Sequence, residues 1–486
     1  MVSVSSVAES RPETVDPRGM RVIWLLLISA FVAILNETTM GIAIPQLNVE
    51  LGIAPSLGQW LTSAFMLTMA VVIPITGLVL QRFSTRGVYL TAMTLFSLGT
   101  LICLIAPGFT VLLLGRIVQA SGTAIMMPLL MTTVMNVVPE HSRGRIMGRV
   151  GIVMALAPAV GQTVSGLILD SLSWRWLFGL ILPIALIALS IGAKWMLNLG
   201  VSEYKRIDVA SVMLSALGFG GVVFALSQLG SAHGGESAGT SGGTVALMLI
   251  AAVIALGLFI WRQLRLQRKE EALLDLRVFR SLNFTMSVVV MSILALAMFG
   301  SLTLLPLYLQ NVVGLSATEA GLIVLPGSVV MGLLGPIVGR IYDARGPRPL
   351  LIPGTILVSA GLWSYSMVDQ NTSVMLLASI QIAMSVGLAM SFTPLFSASL
   401  SSLQPRLYSH GSAVLNTLQQ VAGAVGVAVL ITTMSSVASD QSALGEIASQ
   451  AAGAQSAFMI GAIVSLGAVA GAFFVRSPAR IRAAAA

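Results

Sequence analysis

The stretch GRIYDARGPR, at residues 339–348, recurs in altered form as GLVLQRFSTR at residues 77–86. Each copy opens with a glycine at the end of a long apolar segment and continues into a short basic turn. The two copies therefore indicate two equivalent halves of the chain, with further segments inserted between them. Parallel repeats of this kind, related by an axis along the membrane normal, are a transporter architecture.

The composition restricts the class of protein. The chain has 486 residues, of which 56% are apolar and only 9% are charged. An average soluble domain carries about 25% charged residues, so this chain cannot cover a water-exposed surface. A soluble multidomain enzyme is therefore excluded, and intrinsic disorder is excluded because it requires low hydrophobicity and high charge. The sequence predicts an all-α polytopic membrane protein.

Fourteen apolar stretches approach the length of about 20 residues that a membrane-spanning helix requires. The predicted spans are 21–45, 57–80, 88–106, 110–135, 144–169, 174–197, 207–229, 244–265, 283–310, 316–340, 349–367, 373–396, 410–437 and 454–475. They predict a cytoplasmic tail (1–20), an N-terminal six-helix bundle (21–200), two inserted helices (201–270) and a C-terminal six-helix bundle with a short cytoplasmic tail (271–486). No cleavable signal is predicted, because the first apolar stretch is long enough to span.

The basic residues are concentrated in alternate loops. If the N-terminus is cytoplasmic, Arg175 is the only one of the 26 Lys and Arg residues on the outer side, and Arg116 is the only one deep within a span. The positive-inside rule then predicts that both termini are cytoplasmic. The net charge of +8 accordingly reflects membrane orientation and not nucleic-acid binding.

Few other residues indicate chemistry. Cys103 is the only cysteine and lies in an apolar run, so we expect a packing role and no intramolecular disulfide. His141, His233 and His410 are far apart in the sequence and form no metal-binding pattern. The stretch 231–243 (SAHGGESAGTSGG) is rich in Gly and Ser, which predicts a flexible outer tether.

Several motifs resemble those of one transporter family. The turn at 339–348 fits the loop signature of the major facilitator superfamily through Gly339, Asp343, Gly346 and Arg348. The first copy departs from that signature, with Gln81 in place of the Asp and Ser84 in place of a Gly. Further matches are LLLGRIVQASG (112–122), GIVMALAPAVGQTVSG (151–166), WRW (174–176) and LPLYLQ (305–310).

The resemblance covers nearly the whole chain, and within the superfamily it is to the fourteen-helix drug:proton antiporters. The stretch LNET (35–38) is similar to the lincomycin-resistance-type branch. The implied fold is the major facilitator fold, with two six-helix halves plus two inserted helices. In relatives, the signature at 151–166 accompanies export rather than uptake.

Ionisable residues within a span are costly and are therefore candidates for function. Two lie deep, Glu37 in span one and Arg116 in span four. Glu37 is about 21 Å and Arg116 about 22 Å above the inner edge of the membrane core, at a rise of 1.5 Å per residue. The two depths agree, and the family resemblance implies that spans one and four lie together around a cavity.

The chemistry of Glu37 depends on its surroundings. An apolar cavity favours the neutral form of a carboxyl group, whereas a nearby guanidinium favours the charged form. A group balanced between these effects can change protonation when the cavity opens or binds a cation. We predict that Glu37 carries a proton and that Arg116 modulates it; the alternative is a Glu–Arg pair that only fixes helix packing. The family usually has the acid at the position of Asn36, so Glu37 is rotated by about 100° around the helix.

The resemblance implies a cytoplasmic gate, latched in the outward-open state by a charge network. In that network we expect Asp343 to be hydrogen-bonded by a neighbouring helix N-terminus and paired with Arg340 or Arg345. The gate residues are predicted to be Gly77, Arg82, Gly339, Arg340, Asp343, Arg345 and Gly346. Membrane orientation alone would equally explain the basic ones. Because Gln81 cannot ionise, the first-half latch should be weaker or built differently.

The signature in span five implies an antiporter helix, represented by Gly151, Pro158 and Gly161. Its small residues would permit close packing against span eight of the superfamily core, and the proline would bend the helix. Ordinary packing of small residues is the alternative interpretation.

The other polar side chains within spans are candidates for a substrate cavity: Asn36, Trp60, Gln119, Tyr308, Gln310, Asn416, Gln419 and Gln420. With Glu37 as the only deep acid, a neutral or monocationic amphipathic compound fits better than a dication. We therefore predict proton-coupled export of amphipathic drugs or antimicrobials across a bacterial cytoplasmic membrane by alternating access. The expected partners are small amphipathic substrates, protons and the lipid bilayer.

No cofactor, metal, nucleic acid or obligate protein partner is predicted. An ATP-driven pump is disfavoured because the sequence lacks a phosphate-binding loop motif, and an enzyme because it lacks a catalytic set. The alternative functions are proton-coupled export of a lipid, siderophore or endogenous metabolite and, least favoured, a nontransporting membrane sensor or scaffold.

Overall fold

A computed structural model of the protein describes residues 17–53, 55–198, 208–232, 242–370 and 372–476. Helices dominate these ranges, and the described residues contain no β-strand. The predicted N-terminal tail up to residue 16, most of the predicted tether (233–241, with His233) and the chain beyond residue 476 lie outside the described part.

Fourteen long helices succeed one another in the described residues. They are α1 (Pro17–Leu51), α2 (Pro55–Arg82), α3 (Thr85–Leu104), α4 (Phe109–Val137), α5 (Arg143–Ser171), α6 (Arg175–Trp195), α7 (Val209–Ser215, the π-helical turn Ala216–Gly220, and Gly221–Ala232), α8 (Gly242–Leu266), α9 (Leu282–Asn311), α10 (Ala317–Arg345), α11 (Arg348–Tyr365), α12 (Val374–Ser401), α13 (Tyr408–Asp440) and α14 (Glu446–Ala472). Thirteen are long and apolar enough to cross a membrane. The exception is α11, whose 18 residues begin with Arg348 and Pro349.

Polar and glycine residues mark the ends of these helices. At the start of α10, Ser316 and Glu319 form a reciprocal capping box, which satisfies backbone N–H groups that have no partner within the helix. The same helix ends at Gly346, whose φ of 79° lies in the left-handed region that glycine adopts at little cost. Ser84 and Ser373 cap α3 and α12 in the usual way.

The predicted spans coincide with these helices, and the largest difference is at the start of α14. The span was predicted to begin at residue 454, whereas the helix begins at Glu446. Its first turns are polar, but they are held by the protein: Ser449 is buried, and Gln455 donates a hydrogen bond to the Val368 carbonyl. A hydropathy pattern does not detect such a helical extension, because the extension need not be apolar.

The helices pack as two groups joined along two seams. Helices α1–α6 pack with one another, as do α9–α14; we refer to them as the N-terminal group and the C-terminal group. The two groups meet mainly where α5 packs against α10 and where α2 packs against α13. The inserted helices α7 and α8 pack on each other, and α7 also lies against α2 and α13.

Candidate functional site

Glu37 lies deep in α1, where its carboxyl group faces side chains from both groups of helices. Arg116 of α4 is near enough to act on it electrostatically, and the side-chain amide of Gln420 in α13 lies close to it. Gln420 also lies 3.9 Å from the sulfur of Met69 in α2. The carboxyl group is therefore placed where the N-terminal and C-terminal groups meet.

Arg116 is completely buried and is held by several contacts. Its Nη1 donates a hydrogen bond of 2.8 Å to Gln119, its Nε donates to the Leu61 carbonyl, and its guanidinium lies 4.1 Å from the centroid of the Phe65 ring. Cation–π contacts of this kind strengthen when they are desolvated. In turn, Gln119 donates to Thr100 at 2.8 Å.

The ion pairs of the described residues do not join Glu37 to Arg116. The guanidinium instead acts on the carboxyl group through space, an effect that is large where water is excluded. A carboxyl group that is not locked into an ion pair can gain and lose a proton without first breaking one.

Two of the predicted cavity residues are buried in the protein interior. Gln119 is completely buried and serves as the hydrogen-bond partner of Arg116. Asn36 is also completely buried, and neither amide atom has a hydrogen-bond partner among the described residues. Asn36 lies on the same helix as Glu37, and Gln119 lies on the same helix as Arg116.

The other predicted cavity residues do not converge. The ring of Trp60 lies 5.5 Å from that of Phe224 in the inserted helix α7, and the Tyr308 hydroxyl donates to the Asp369 carbonyl at 2.6 Å. Gln310 and Asn416 donate to carbonyls one turn earlier in their own helices, and Gln419 is buried in α13. Most of these side chains contact a protein group close to their own position instead of pointing into a shared cavity. Hydropathy patterns cannot reveal such partners.

A small cavity of about 30 Å³ lies between the two groups, and its wall is rich in methionine. It is lined by Met131, Met147, Val150, Gly151, Met154, Met298, Met331, Gly335, Ala389, Phe392, Thr393 and Phe396. No charged residue belongs to this lining, and none of the predicted polar cavity residues does either. Methionine side chains are flexible and polarizable, so such a wall can adapt to apolar and aromatic groups of different shapes.

The cavity is offset from Glu37 along the helix axes. Gly161 of α5 packs against Thr38 and Leu35 of α1, since a Cβ added at Gly161 would lie 2.8 Å from the Leu35 carbonyl oxygen. Gly161 therefore lies at the same level as Glu37 along the helix axes. The lining residues Met154 and Met147 lie about 10 Å and about 21 Å further along α5, toward its start. The start of α5 is the end of the molecule that carries the basic turns 82–86, 143–149 and 340–348, which we call the basic end.

At the basic end, the carboxylate of Asp343 joins the two groups of helices. It accepts hydrogen bonds from the backbone N–H groups of Gly144 at 2.7 Å and Arg145 at 2.9 Å. These N–H groups lie in the first turn of α5, where the helix dipole favours a negative charge. The expected ion pair with Arg340 or Arg345 is not formed among the described residues, because both arginine side chains are exposed and the carboxylate faces α5.

The corresponding position in the first copy of the turn is Gln81, which also bridges the two groups. Its side-chain amide donates to the Arg406 carbonyl at 2.8 Å. A third bridge is made by the buried Arg143, which donates to Ser401 at 3.4 Å and lies 5.6 Å from the centroid of the Tyr408 ring. Sequence reasoning missed Arg143, because a basic residue in a predicted cytoplasmic turn is explained by orientation alone.

The seam between α5 and α10 is formed by glycines. A Cβ at Gly148 would overlap the Gly335 carbonyl, and a Cβ at Gly339 would overlap the Gly144 carbonyl. Gly339, which was predicted as a gate residue, thus lies at this crossing of α5 and α10. Gly144 and Gly148 were not predicted. Both helices carry the signal that could have found this crossing, since 144–148 and 335–339 each read G-x-x-x-G, a pattern of close helix approach.

The predicted antiporter-helix residues have different neighbours. A Cβ at Gly151 would lie 3.0 Å from the Thr393 hydroxyl, and Gly151 lines the cavity. Gly161 packs against Thr38 and Leu35 of α1, so its close contact is with another helix of its own group. Pro158 lies within α5 between these two contacts.

The remaining predicted gate residues also lie at the basic end. Gly77 contacts α13 and the chain between α8 and α9, since an added Cβ would lie 3.0 Å from Nδ1 of His410 and 3.2 Å from Leu274. The guanidinium of Arg82 lies 5.4 Å from the centroid of the adjacent Phe83 ring.

Comparisons with known proteins agree with this architecture. The family model described as Major Facilitator Superfamily matches residues 26–427. The chain is 41% identical over 466 residues to the lincomycin resistance protein LmrB of Listeria monocytogenes, with 94% of this chain and 97% of the relative covered. It is 37% identical to the LmrB of Bacillus subtilis, with 94% and 96% covered. It is 28% identical to a multidrug resistance protein B homolog of Mycobacterium tuberculosis, with 87% and 77% covered.

Two solved structures share the fold at 14% sequence identity. The human organic anion transporter MFSD10 has a TM-score of 0.63, covering 95% of this chain and 100% of that protein. The proton:xylose symporter XylE has a TM-score of 0.61, covering 92% and 94%.

Proposed function

Because the chain belongs to the Major Facilitator Superfamily, we propose that it is a proton-coupled antiporter that exports amphipathic drugs by alternating access. The observation that carries this proposal is the position of Glu37, an ionisable side chain deep in a membrane span that lies close to Gln420 of the other group of helices. An intramembrane carboxyl group at that position can link its protonation to the separation of the groups.

The proposed proton site and the proposed substrate site are separate. Glu37 and Arg116 bind and modulate the proton, and the methionine-lined cavity binds the apolar part of the substrate. Because the cavity lining has no charged residue, a substrate does not need a positive charge to enter it. In this scheme substrate and proton are coupled by the movement of the helix groups, and the proton gradient supplies the energy without a cofactor.

Relatives that align with most of this chain support the substrate class. Two are named lincomycin resistance proteins and a third a multidrug resistance protein B homolog. We therefore take lincomycin as the first compound to test, together with a neutral amphipathic dye that suits the apolar cavity. Small amphipathic compounds and protons are the proposed partners.

The proposed location is the cytoplasmic membrane of a bacterium, with both termini and the basic end in the cytoplasm. The bridges made by Asp343, Gln81 and Arg143 join the two groups at this end. The conformation is accordingly one in which the cytoplasmic side is closed. Export requires these bridges to break when the substrate enters and to form again when it leaves.

Transport in proteoliposomes with an imposed pH gradient tests the proposal. We expect wild-type protein to move lincomycin or the dye when the gradient is applied, and Glu37→Gln to lose gradient-driven transport while retaining passive exchange. The matched control is Glu50→Gln on the same helix, because Glu50 is exposed and accepts a hydrogen bond only from its neighbour Gln46. This control should transport as the wild type does.

Two results would contradict the proposal in different ways. Gradient-driven transport by a folded Glu37→Gln protein would remove Glu37 from proton coupling. Failure of the wild-type protein to move any amphipathic compound would instead favour export of a lipid, siderophore or endogenous metabolite, which the same fold can serve.

A further inference from the structure

The inserted helices cover one of the two seams between the helix groups. Helix α7 packs against both α2 and α13. On α2, Trp60 stacks near Phe224 of α7, and a Cβ at Gly220 would lie 3.1 Å from both Leu67 and Val71. Helix α8 packs on α7 in turn, since a Cβ added at Gly218 of α7 would lie 2.6 Å from Leu256 of α8. The pair is thus a close-packed unit placed along the α2–α13 seam.

The chain that leaves α8 is tied back to this unit by one buried side chain. We call residues 267–281 the connecting segment, since they join α8 to α9. Gln263 of α8 is completely buried, and its Oε1 accepts hydrogen bonds from the backbone N–H groups of Leu273 at 2.8 Å and Leu274 at 3.2 Å. Its Nε2 donates to the Ser211 hydroxyl of α7 at 2.7 Å. Gln263 therefore fixes the connecting segment to both inserted helices.

The residues held by Gln263 lie at the basic end of the seam. A Cβ at Gly77 of α2 would lie 3.2 Å from Leu274, 3.3 Å from the Leu273 carbonyl and 3.0 Å from His410 of α13. Three elements consequently meet at this glycine: one helix of each group and the connecting segment. Leu273 and Leu274 are buried there.

The connecting segment is also folded on itself by charged groups. Arg277 donates to Glu270 at 2.7 and 2.8 Å and to Asp275. These hydrogen bonds from Arg277 hold the pKa of Glu270 below its usual range. The segment accordingly behaves as a formed element and not as a loose linker, so a tie at one point can position all of it.

The two seams differ in their direct contacts at the basic end. The α5–α10 seam has glycines in close contact and the carboxylate of Asp343, which accepts hydrogen bonds from two backbone N–H groups. The α2–α13 seam has the neutral bridge from Gln81 to the Arg406 carbonyl. Hydrogen bonds to charged groups contribute more than neutral ones, so the bridge from Gln81 is the weaker of these two hydrogen-bonded bridges.

We propose that Gln263 is a positioning residue for transport, which holds Leu273 and Leu274 of the connecting segment against Gly77 and His410 and so closes the α2–α13 seam. The inserted helices thereby supply the closure that the neutral Gln81 does not. This inference rests on the proposed alternating access, because the seam has to separate at the basic end when substrate enters. The connecting segment must leave Gly77 for that to happen.

Distances between spin labels on either side of the seam test this role without requiring any substrate. Labels are attached to cysteines at the exposed positions Phe83 and Gln404 in a Cys103→Ala background, and double electron–electron resonance gives the ratio of separated to closed molecules. We expect Gln263→Ala to raise that ratio about ten-fold, the effect of losing one or two net hydrogen bonds. Ser211→Ala, which removes the tie from Gln263 to α7 together with the hydrogen bond from the Ser211 hydroxyl to Asp208, should shift it in the same direction.

Gln381→Ala is the matched control, since Gln381 is another buried glutamine, bonded to Tyr365 and remote from the connecting segment. It should leave the distances unchanged. Wild-type distances in folded Gln263→Ala and Ser211→Ala proteins would overturn the inference, and Ser211→Ala alone decides if Gln263→Ala does not fold. A shift of the distances in a protein that moves no amphipathic compound would retain the role of Gln263 and reject drug export.

Discussion

The carboxylate of Asp343 accepts a 2.7 Å hydrogen bond from the backbone N–H of Gly144, which joins the end of α10 to the start of α5. The Gly144 N–H belongs to the first turn of its helix, where backbone donors have no partner within the helix. An ionised acceptor there gains from hydrogen bonding and from the helix dipole together. The contact is lost when the two groups separate at the basic end, so it favours the closed state.

Replacing Asp343 by Asn should weaken this latch. The amide oxygen can accept one of the two N–H groups, but the amide nitrogen would face the other donor, and the negative charge is lost. A hydrogen bond to a charged group contributes about 1.5–3 kcal/mol, so we expect the ratio of open to closed molecules to rise at least several-fold. Labelling of a cysteine introduced in place of Met147, which is buried on α5 in this closed conformation, measures exposure of the basic end.

Asp440→Asn is the control for this change, because Asp440 is exposed at the other end of the molecule. It should leave labelling unaltered. Equal labelling rates in the Asp343→Asn and wild-type backgrounds would mean that the carboxylate does not hold the basic end closed.

The glycine crossing gives a second prediction. A Cβ at Gly148 would overlap the Gly335 backbone carbonyl, which cannot move aside as a flexible side chain can. Overpacking of this kind typically costs about 1–3 kcal/mol, here in the closed conformation, where the backbones meet. We expect Gly148→Ala to open the α5–α10 seam and to reduce transport, measured by accessibility and efflux on the same preparation.

Gly166 provides a control on the same helix, since nothing lies within 4 Å of a Cβ added there. Gly166→Ala should behave as the wild type or be slightly more stable, because alanine favours helix. If both alanine variants reduced transport equally, the effect would come from the helix itself and not from the crossing.

Some of this site is accessible from sequence and some is not. The helices and the repeated turn could be predicted, because apolar length and turn residues are local signals. The G-x-x-x-G pairs at 144–148 and 335–339 were also readable, and the spacing of Gln119 three residues after Arg116 is that of side chains on one helix face. By contrast, the partners of Trp60, Tyr308 and Gln263 depend on which helices become neighbours, and no local pattern carries that information.

The methionine-lined cavity leads to a third prediction. Met331 of α10 lines the cavity. The substitution Met331→Gln keeps the length of the side chain and introduces an amide group. Burying an amide without a hydrogen-bond partner costs about 1–3 kcal/mol by mutational measures. If an apolar dye binds against this wall, its KM should rise about ten-fold while the maximal rate changes little.

The control is Met375→Gln, because Met375 is 77% exposed near the start of α12. Its kinetics should match those of the wild type. A fall in maximal rate with an unchanged KM in Met331→Gln would place the effect on helix movement and would argue against binding at this cavity.

The pair formed by Asp208 and Arg262 gives a pH-dependent prediction for the inserted helices. Arg262 of α8 bonds both carboxylate oxygens of Asp208 at 2.6 and 2.8 Å, and Asp208 also caps α7. The hydrogen bond from Arg262 is the main cause that lowers the pKa of Asp208 to about 2, from an ordinary value of 3.8. Because the pKa is lower in the folded protein, the stabilisation is complete above the ordinary value and is lost as pH falls through about 2.

We therefore expect Asp208→Asn to lower the thermal midpoint of the detergent-solubilised protein at pH 7. The difference from wild type should stay constant down to about pH 5 and shrink steadily below about pH 4, as the wild-type carboxylate itself is protonated. Asp440→Asn should show no difference at any of these pH values. A deficit in Asp208→Asn that persists unchanged into strong acid would mean that the side chain stabilises α7 through its shape or its cap and not through its charge.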